Sequence, residues 1–536
     1  MRAGMVASTI AGMLLLPVLG TVSRLVRDAD GDGGGDHLGW GENVAGGEQV
    51  VLEFEVAGVD EVLVSTEDTW TIVGGPHETF GLNAFPQHQL RITNTKSTLC
   101  DTTVKQQSGY LDISETRHLF FWFFEARNDP HDAPLMLWLN GGPGCSSIAS
   151  GLLFENGPCS MAKDGNGTVR NPHSWNEHTN IIYLDQPIGS GYSYSTDGSK
   201  VDTTAASAVD MYAFLTMFLK KYPQYASSPL HIAAESWGGH YGPNLAKYIH
   251  EKNEGLIHYP GEGIIHINLD SLILANGLTE PYSQFETIAD YKCGGAPYPY
   301  LKPDSMTCRL IRDNTPVCLR LIDACYKSMS KATCNAATVH CWPALMFWEK
   351  VATKIKANPY DIRRPCEENS SVCYMDIDRG ETWLDSAYVK EALGADVGRE
   401  FKTCNMTVNA GFYLQGEAFH NSAAMLPLLL QSGLRLLVYA GNTGKFIPPV
   451  NLMVYLLISD LQGIELWMDR LQNDFHEEFA ATPPVPWRTV KSHYLAGEVR
   501  SAGGAGTGAG NYTFVQIYDA GYTFQIMIIT LKWSHL

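Results

Sequence analysis

The stretch Ile232-Ala-Ala-Glu-Ser236-Trp-Gly-Gly-His-Tyr241 sets a serine just after an apolar run, Leu230 to Ala233, and at the head of a helix-compatible segment. Its neighbours at Ala234 and Gly238 are small. A turn from strand to helix this tight has no room for large neighbours. It lifts the serine hydroxyl above the sheet with a backbone N–H beside it, which is the geometry of a nucleophile elbow. With Ala234 in place of the first glycine, a small-x-Ser-x-Gly match also arises by chance, so the remaining parts of a site have to come from elsewhere in the chain.

Working outward, the first such part is Trp138-Leu-Asn140-Gly141-Gly142-Pro143-Gly144-Cys145-Ser-Ser147, again just past an apolar run. Consecutive glycines let backbone N–H groups approach a substrate oxygen, as an oxyanion hole requires; a plain Gly-Pro turn is the bland alternative. Further apolar runs of strand length lie at His118 to Phe124, Leu135 to Leu139, Ile181 to Leu184, Ser271 to Ala275 and Arg435 to Tyr439, with helical pattern between them, as in Ala205 to Lys221. Strands alternating with helices predict a doubly wound, mostly parallel sheet of the α/β class. Between Thr279 and Ala424 the strand signal weakens and cysteines concentrate, which predicts an inserted, disulfide-rich, mainly helical lid subdomain over the active site.

The 536 residues and 45% hydrophobic content suit a large core with added subdomains. A formal net charge of −19, with no basic cluster, excludes nucleic acid as a partner class. Met1, Arg2, the apolar run Met5 to Leu19 and small residues near Gly20 read as a signal peptide; a buried N-terminal helix is the alternative. No later run is long enough for a membrane span. Residues from Thr21 to Ser97, with the Gly-rich acidic stretch Asp28 to Gly35, read as a polar, propeptide-like leader. Eight of the 12 cysteines fall between Cys293 and Cys373, and without a CxxC pair they favour disulfides over a zinc cluster. Sequons at Asn166, Asn369, Asn405 and Asn511 are expected to mark surface loops in a secretory chain. Localisation in the secretory pathway, vacuolar or extracellular, follows.

Together with Phe121 to Pro130, Ser174-Trp-Asn176, Leu184-Asp-Gln-Pro-Ile-Gly-Ser-Gly191, Cys373-Tyr374 and Val389-Lys-Glu-Ala-Leu-Gly394, these motifs make the chain resemble the serine carboxypeptidases, most of all the fungal carboxypeptidase Y group. The resemblance runs from about Gly109 to Gly521. It implies an α/β-hydrolase fold and removal of C-terminal residues from peptides and proteins at acid pH, with no metal or organic cofactor. By the same resemblance Ser236 is the nucleophile, with the N–H groups of Gly142 and Trp237 as the oxyanion hole. Asn140, Gly141 and Glu235, helped by Trp138 and Glu155, bind the substrate's free carboxylate. Two carboxyls held close share a proton at acid pH, so Glu235 can donate to that carboxylate. The implied disulfides are Cys145 to Cys404, Cys293 to Cys308, Cys318 to Cys341, Cys325 to Cys334 and Cys366 to Cys373, with the pairing of Cys100 and Cys159 left open.

The pattern breaks in two places. A serine hydroxyl needs a base oriented by an acid, in chain order serine, acid, histidine. After Leu436-Leu-Val-Tyr-Ala-Gly441 the family carries Asp-x-Asp, but this chain reads Asn442-Thr443-Gly444. If Gly444 to Ser459 is an insertion, Asp460 becomes the acid. After Thr513-Phe-Val-Gln-Ile-Tyr-Asp-Ala-Gly521 the family has histidine, and this chain has Tyr522, whose phenol cannot serve as base at acid or neutral pH. His535 reads as a chance surface residue. Both departures switch abruptly to unrelated apolar sequence, the mark of a retained intron; the other reading is a homologue that binds peptide C-termini without the base. The expected organisation is 1–20 signal peptide, 21–97 leader, 98–278 and 425–521 hydrolase core, 279–424 lid, and 522–536 a tail unlike the family.

Overall fold

Runs that are apolar at every position suit strands covered on both faces, and runs such as Leu135–Leu139 become that kind of strand. The structure, a computed structural model, describes residues 22–23, 50–56, 59–93, 98–258, 264–295, 297, 301–342, 357–358, 360–443, 461–489, 493–504 and 510–521. Its main sheet contains β1 (Val50–Val56), β2 (Val59–Ser65), β3 (Thr69–Val73), β4 (His77–Leu82), β5 (Gln89–Thr93), β6 (Gln106–Ser114) and β7 (Arg117–Phe124). It continues with β8 (Leu135–Leu139), β9 (Asn180–Leu184), β10 (Leu230–Glu235), β11 (Leu269–Ala275), β12 (Arg435–Gly441), β13 (Val485–Arg488), β14 (Leu495–Ala502) and β15 (Tyr512–Ile517).

Strands β9, β8, β10, β11, β12 and β15 lie side by side and parallel. Antiparallel strands flank them, β7 beside β9 and β14 beside β15. From β8 the chain steps to β9 on one side and then to β10 on the other. Strand order therefore reverses at β8, and the carboxyl ends of β8 and β10 border the crevice where such sheets bind ligands. Leu139 is paired with Ala234 there, so the glycine turn and the serine elbow leave the sheet as neighbours.

Alternation along each strand feeds two apolar layers. Leu137, Ile182, Ile232 and Leu274 face one layer, joined by Phe214 and Phe218 of α1 (Thr204–Lys221) and Leu245 of α2 (Gly238–His258). Met136, Trp138, Tyr183 and Ala233 face the other, with Leu152, Trp383 and Leu393. Thr203 caps α1, its hydroxyl accepting from Ala206 N, and Lys220 and Lys221 close it, a charge order that suits the helix dipole.

Where the sequence suggested a polar leader, residues 59–93 form antiparallel strands that extend the sheet. Leu82, Leu90 and Ile92 enter its core, and Arg91 pairs with Asp112 of β6. Their apolar residues are too scattered among polar ones to stand out until β6 is placed beside them. Within 279–424, α3 (Met306–Ser328) and α4 (Lys331–Trp342) pack on each other through Cys318–Cys341 and Cys325–Cys334. Later helices α5 (Met375–Leu384), α6 (Ala387–Leu393) and α7 (Met406–Gln415) lie against the core instead. Leu393 O accepts from Thr93 and Ser108, and Cys404 is bonded to Cys145. Cys293–Cys308 and Cys366–Cys373 are bonded, and so is Cys100–Cys159, the pair whose partners the sequence left open.

Candidate active site

Ser236 has φ 66°, a left-handed conformation that a serine adopts only under constraint. The constraint is visible. Ser236 N donates to Ala275 O (3.0 Å), while Leu278 N (2.9 Å) and Gly239 N (3.0 Å) donate to Ser236 O. A Cβ on Gly239 would lie 2.3 Å from Leu278 O, so the residue closing the elbow has to be glycine. The glycine turn abuts this elbow: a Cβ on Gly141 would lie 2.4 Å from Trp237 N and 2.7 Å from Glu235 O. Gly142 follows at φ 110°.

Next to the elbow is a buried polar cluster. Trp138 Nε1 donates to Asn140 Oδ1 (2.7 Å), which turns the Asn140 amide so that Nδ2 donates to Glu235 (2.7 Å) and to Glu155 (3.1 Å). Glu155, Glu235 and Asn140 are all almost fully buried. Burial, and next the Glu235 carboxyl, push Glu155 well above the ordinary carboxylate range. Such a pair holds a proton where isolated carboxylates would have lost theirs. It can then accept a hydrogen bond from an amide and donate one to an incoming carboxylate.

Sequence reasoning had missed several residues around this cluster. Ser147 Oγ accepts from Asn140 N (3.0 Å) and donates to Leu184 O (2.7 Å), fixing the Asn140 backbone to the end of β9. Tyr439 on β12 is buried beside both carboxyls, and its phenol is pushed up by burial first and then by Glu235 and Glu155. Nothing in a lone serine or tyrosine marks these roles; only the strand order brings them to Asn140 and Glu235. Trp237 is also fully buried, its indole meeting the rings of His240, Tyr413 and Phe412 edge-on.

At the ends of β12 and β15, Asn442 N donates to Ile517 O (2.9 Å) and Thr443 N to Ala520 O (3.0 Å). Asn442 Oδ1 accepts from Asp519 N (2.8 Å). Asp460 and Tyr522 both lie outside the described residues. Among the described residues no histidine is hydrogen-bonded to Ser236. His240, one helical turn on, has its Nδ1 bonded to Ser422 Oγ (2.7 Å), and burial pushes its pKa down to about 3. Among the described residues Cys325, Cys334 and His420 are close enough to hold a metal ion, but the two cysteines are bonded to each other and offer no thiolate.

Of the sequons, Asn166 and Asn369 are exposed and Asn511 is half-buried at the start of β15. Asn405 departs from the surface-loop expectation. It is half-buried and caps α7, its Oδ1 accepting from Thr407 N and Val408 N and its Nδ2 donating to Gly189 O (2.9 Å).

The serine carboxypeptidase family model matches residues 97–525. A carboxypeptidase Y homolog A of Talaromyces stipitatus is 38% identical over 456 residues, 84% of this chain and 74% of the relative. The carboxypeptidase Y of Schizosaccharomyces pombe is 37% identical over 451 residues, 83% of this chain and 42% of the relative. Among solved structures, the prohormone-processing carboxypeptidase Kex1 of Saccharomyces cerevisiae superposes with a TM-score of 0.64 at 22% identity, covering 81% of this chain and 91% of that one. That likeness shows the α/β-hydrolase fold.

Proposed function

The chain belongs to the serine carboxypeptidases, and from that premise we propose that it takes peptides and proteins by their free C-terminus and releases C-terminal residues by acyl transfer to Ser236 at acid pH. The observation that carries this reading is the buried Glu155–Asn140–Glu235 cluster beside the elbow. A carboxylate entering there meets an amide and a shared carboxyl proton, and the proton is lost as the pair ionises, leaving a buried negative charge that repels the ligand, so binding strengthens toward acid pH. Ser236 attacks the scissile carbonyl, and the N–H groups of Gly142 and Trp237 receive the developing oxyanion. Gly141, seated against the elbow, binds the carboxylate with Asn140 and Glu235, and Trp138 keeps the Asn140 amide in its working orientation. The C–N bond then breaks and the C-terminal residue leaves as a free amine carrying the proton given up by the Ser236 hydroxyl, after which water hydrolyses the acyl ester, freeing the shortened peptide and restoring the hydroxyl. The disulfides fit a secretory route to the vacuole or outside, with residues 1–20 removed as a signal peptide and 279–424 lining the side-chain pocket.

A second reading has a specific observation behind it. Read without a gap, the chain has Gly444 where the family has its acid, Tyr522 stands in place of the histidine, and among the described residues Ser236 has no hydrogen-bonded base. A homologue in this state would hold peptide C-termini without cutting them, because losing the histidine of a triad lowers the rate on the order of a million-fold. One experiment separates the readings: amino acid release from an N-blocked dipeptide between about pH 4 and 7, together with calorimetric binding of the same dipeptide and its C-terminal amide. Release abolished by Ser236→Ala supports the enzyme. Selective binding of the free acid without release supports the binding protein. Equal binding of acid and amide would sink both.

A further inference from the structure

The glycine turn is fastened on two sides. On one side stand residues 403–409: Ser146 N donates to Thr403 O (2.7 Å), Asn405 N to Gly144 O (2.9 Å), Asn409 Nδ2 to Pro143 O (3.2 Å), and Cys145 is bonded to Cys404. On the other side stands one side chain. Asp185, the residue after β9, is fully buried, and Ser146 Oγ donates to its Oδ1 (2.7 Å), with Ile148 N at 3.3 Å. Its Oδ2 accepts from Tyr192 N (3.0 Å). Ser146 Oγ in turn accepts from Ile148 N and Ala149 N, both at 3.1 Å. The chain yields room for this carboxylate. Gly191 has φ 52°, and a Cβ there would lie 2.0 Å from Asp185 Oδ2 and 2.9 Å from Ser146 Oγ.

No cation pairs with Asp185 among the described residues, and an unpaired buried carboxylate is expensive to keep. Burial accordingly pushes it up to about 6, against the lowering effect of its hydrogen bonds. The ionisable group facing it is the phenol of Tyr192, which donates to Leu384 O (2.6 Å). A carboxylate held at that cost, and spent wholly on donors in and beside one turn, has a mechanical use.

We propose that Asp185 is the positioning residue of the glycine turn: by anchoring Ser146 to Ile148 it holds the Asn140 amide and the Gly142 N–H against the Ser236 elbow. This rests on reading that turn as the carboxylate and oxyanion site, although the anchoring itself does not.

The test is hydrogen exchange on the full chain and on Asp185→Asn, whose amide group keeps the size but presents a donor where an acceptor is needed. Exchange of amides 141–149 should rise by about tenfold over wild type, while the rest of the core keeps its protection. The preference for an N-blocked dipeptide over its amide should fall by a similar factor, through weaker binding of the acid alone. Unchanged exchange at 141–149 overturns the proposal. So does an equal rise throughout the chain, or a loosened turn with the acid preference intact. If wild type prefers neither peptide, the carboxylate-site reading fails while the exchange result still decides the anchoring. Should Asp185→Asn fail to fold, Ser146→Ala breaks the bond to Asp185 together with those that Ser146 Oγ accepts from Ile148 N and Ala149 N, so amides 141–145 are read there, and unchanged exchange at them is equally fatal.

Discussion

Around Ser236 the ends of β8 and β10 are knitted together by charged and amide side chains, whereas around Asn442 the ends of β12 and β15 are joined by backbone hydrogen bonds and neutral groups. In the first region Trp138, Asn140, Glu155 and Glu235 form one buried network. In the second, Gly441 packs so closely on Ala520 O and Gly521 O that a Cβ would lie 2.5 Å from each. The nearest buried carboxylate there, Asp361, is committed to Arg363 and Arg364. The sheet is therefore equally well formed in both places, and the difference lies in the chemistry it carries. In the proposed reading, substrate capture and acid–base catalysis belong to separate strand ends, so one can be kept while the other is altered.

The largest expected break of this contrast is Gly141→Ala. The added methyl would collide with backbone atoms of Glu235 and Trp237, not with a movable side chain. Affinity for a free peptide C-terminus, read by calorimetry, should drop by about 150-fold, the equivalent of about 3 kcal/mol of overpacking. Asn140→Leu comes next. It removes the amide bridging two buried carboxyls, and the same titration should show a loss of roughly a hundredfold.

His240 belongs to the elbow's helix and tests stability in place of binding. Its folded-state pKa of about 3 is below the ordinary 6.5, so the stability it contributes is complete above that ordinary value and is lost as pH falls toward the folded one. His240→Gln should flatten the fall in thermal midpoint between pH 7 and 4, recovering on the order of 3 kcal/mol at the acid end. An unchanged slope would remove His240 from the acid response. The smallest effect is expected at the other strand ends. Asn442→Asp restores a carboxylate there, but with no base bonded to Ser236 among the described residues, turnover should stay within about twofold. A tenfold rise would mean that the two regions are less unequal than their hydrogen bonds suggest.

The elbow, the glycine turn and the central strands were legible in the sequence because each depends on local rules. Steric demand around Ser236 and Gly141 selects small residues within a few positions, and burial on both faces makes a strand such as β8 apolar throughout. The break after Gly441 was legible for the same reason, since Asn442 and Thr443 are visibly not carboxylates. Tertiary structure alone decided that Tyr439 lies beside the two carboxyls, that Ser147 ties Asn140 to the end of β9, and that Asp185 reaches Ser146 in the turn that follows. It alone made residues 59–93 part of the sheet, paired Cys100 with Cys159, and turned Asn405 from a surface sequon into a helix cap. Each of these depends on which strands become neighbours, a choice made by the burial of the whole chain that no short window of residues records.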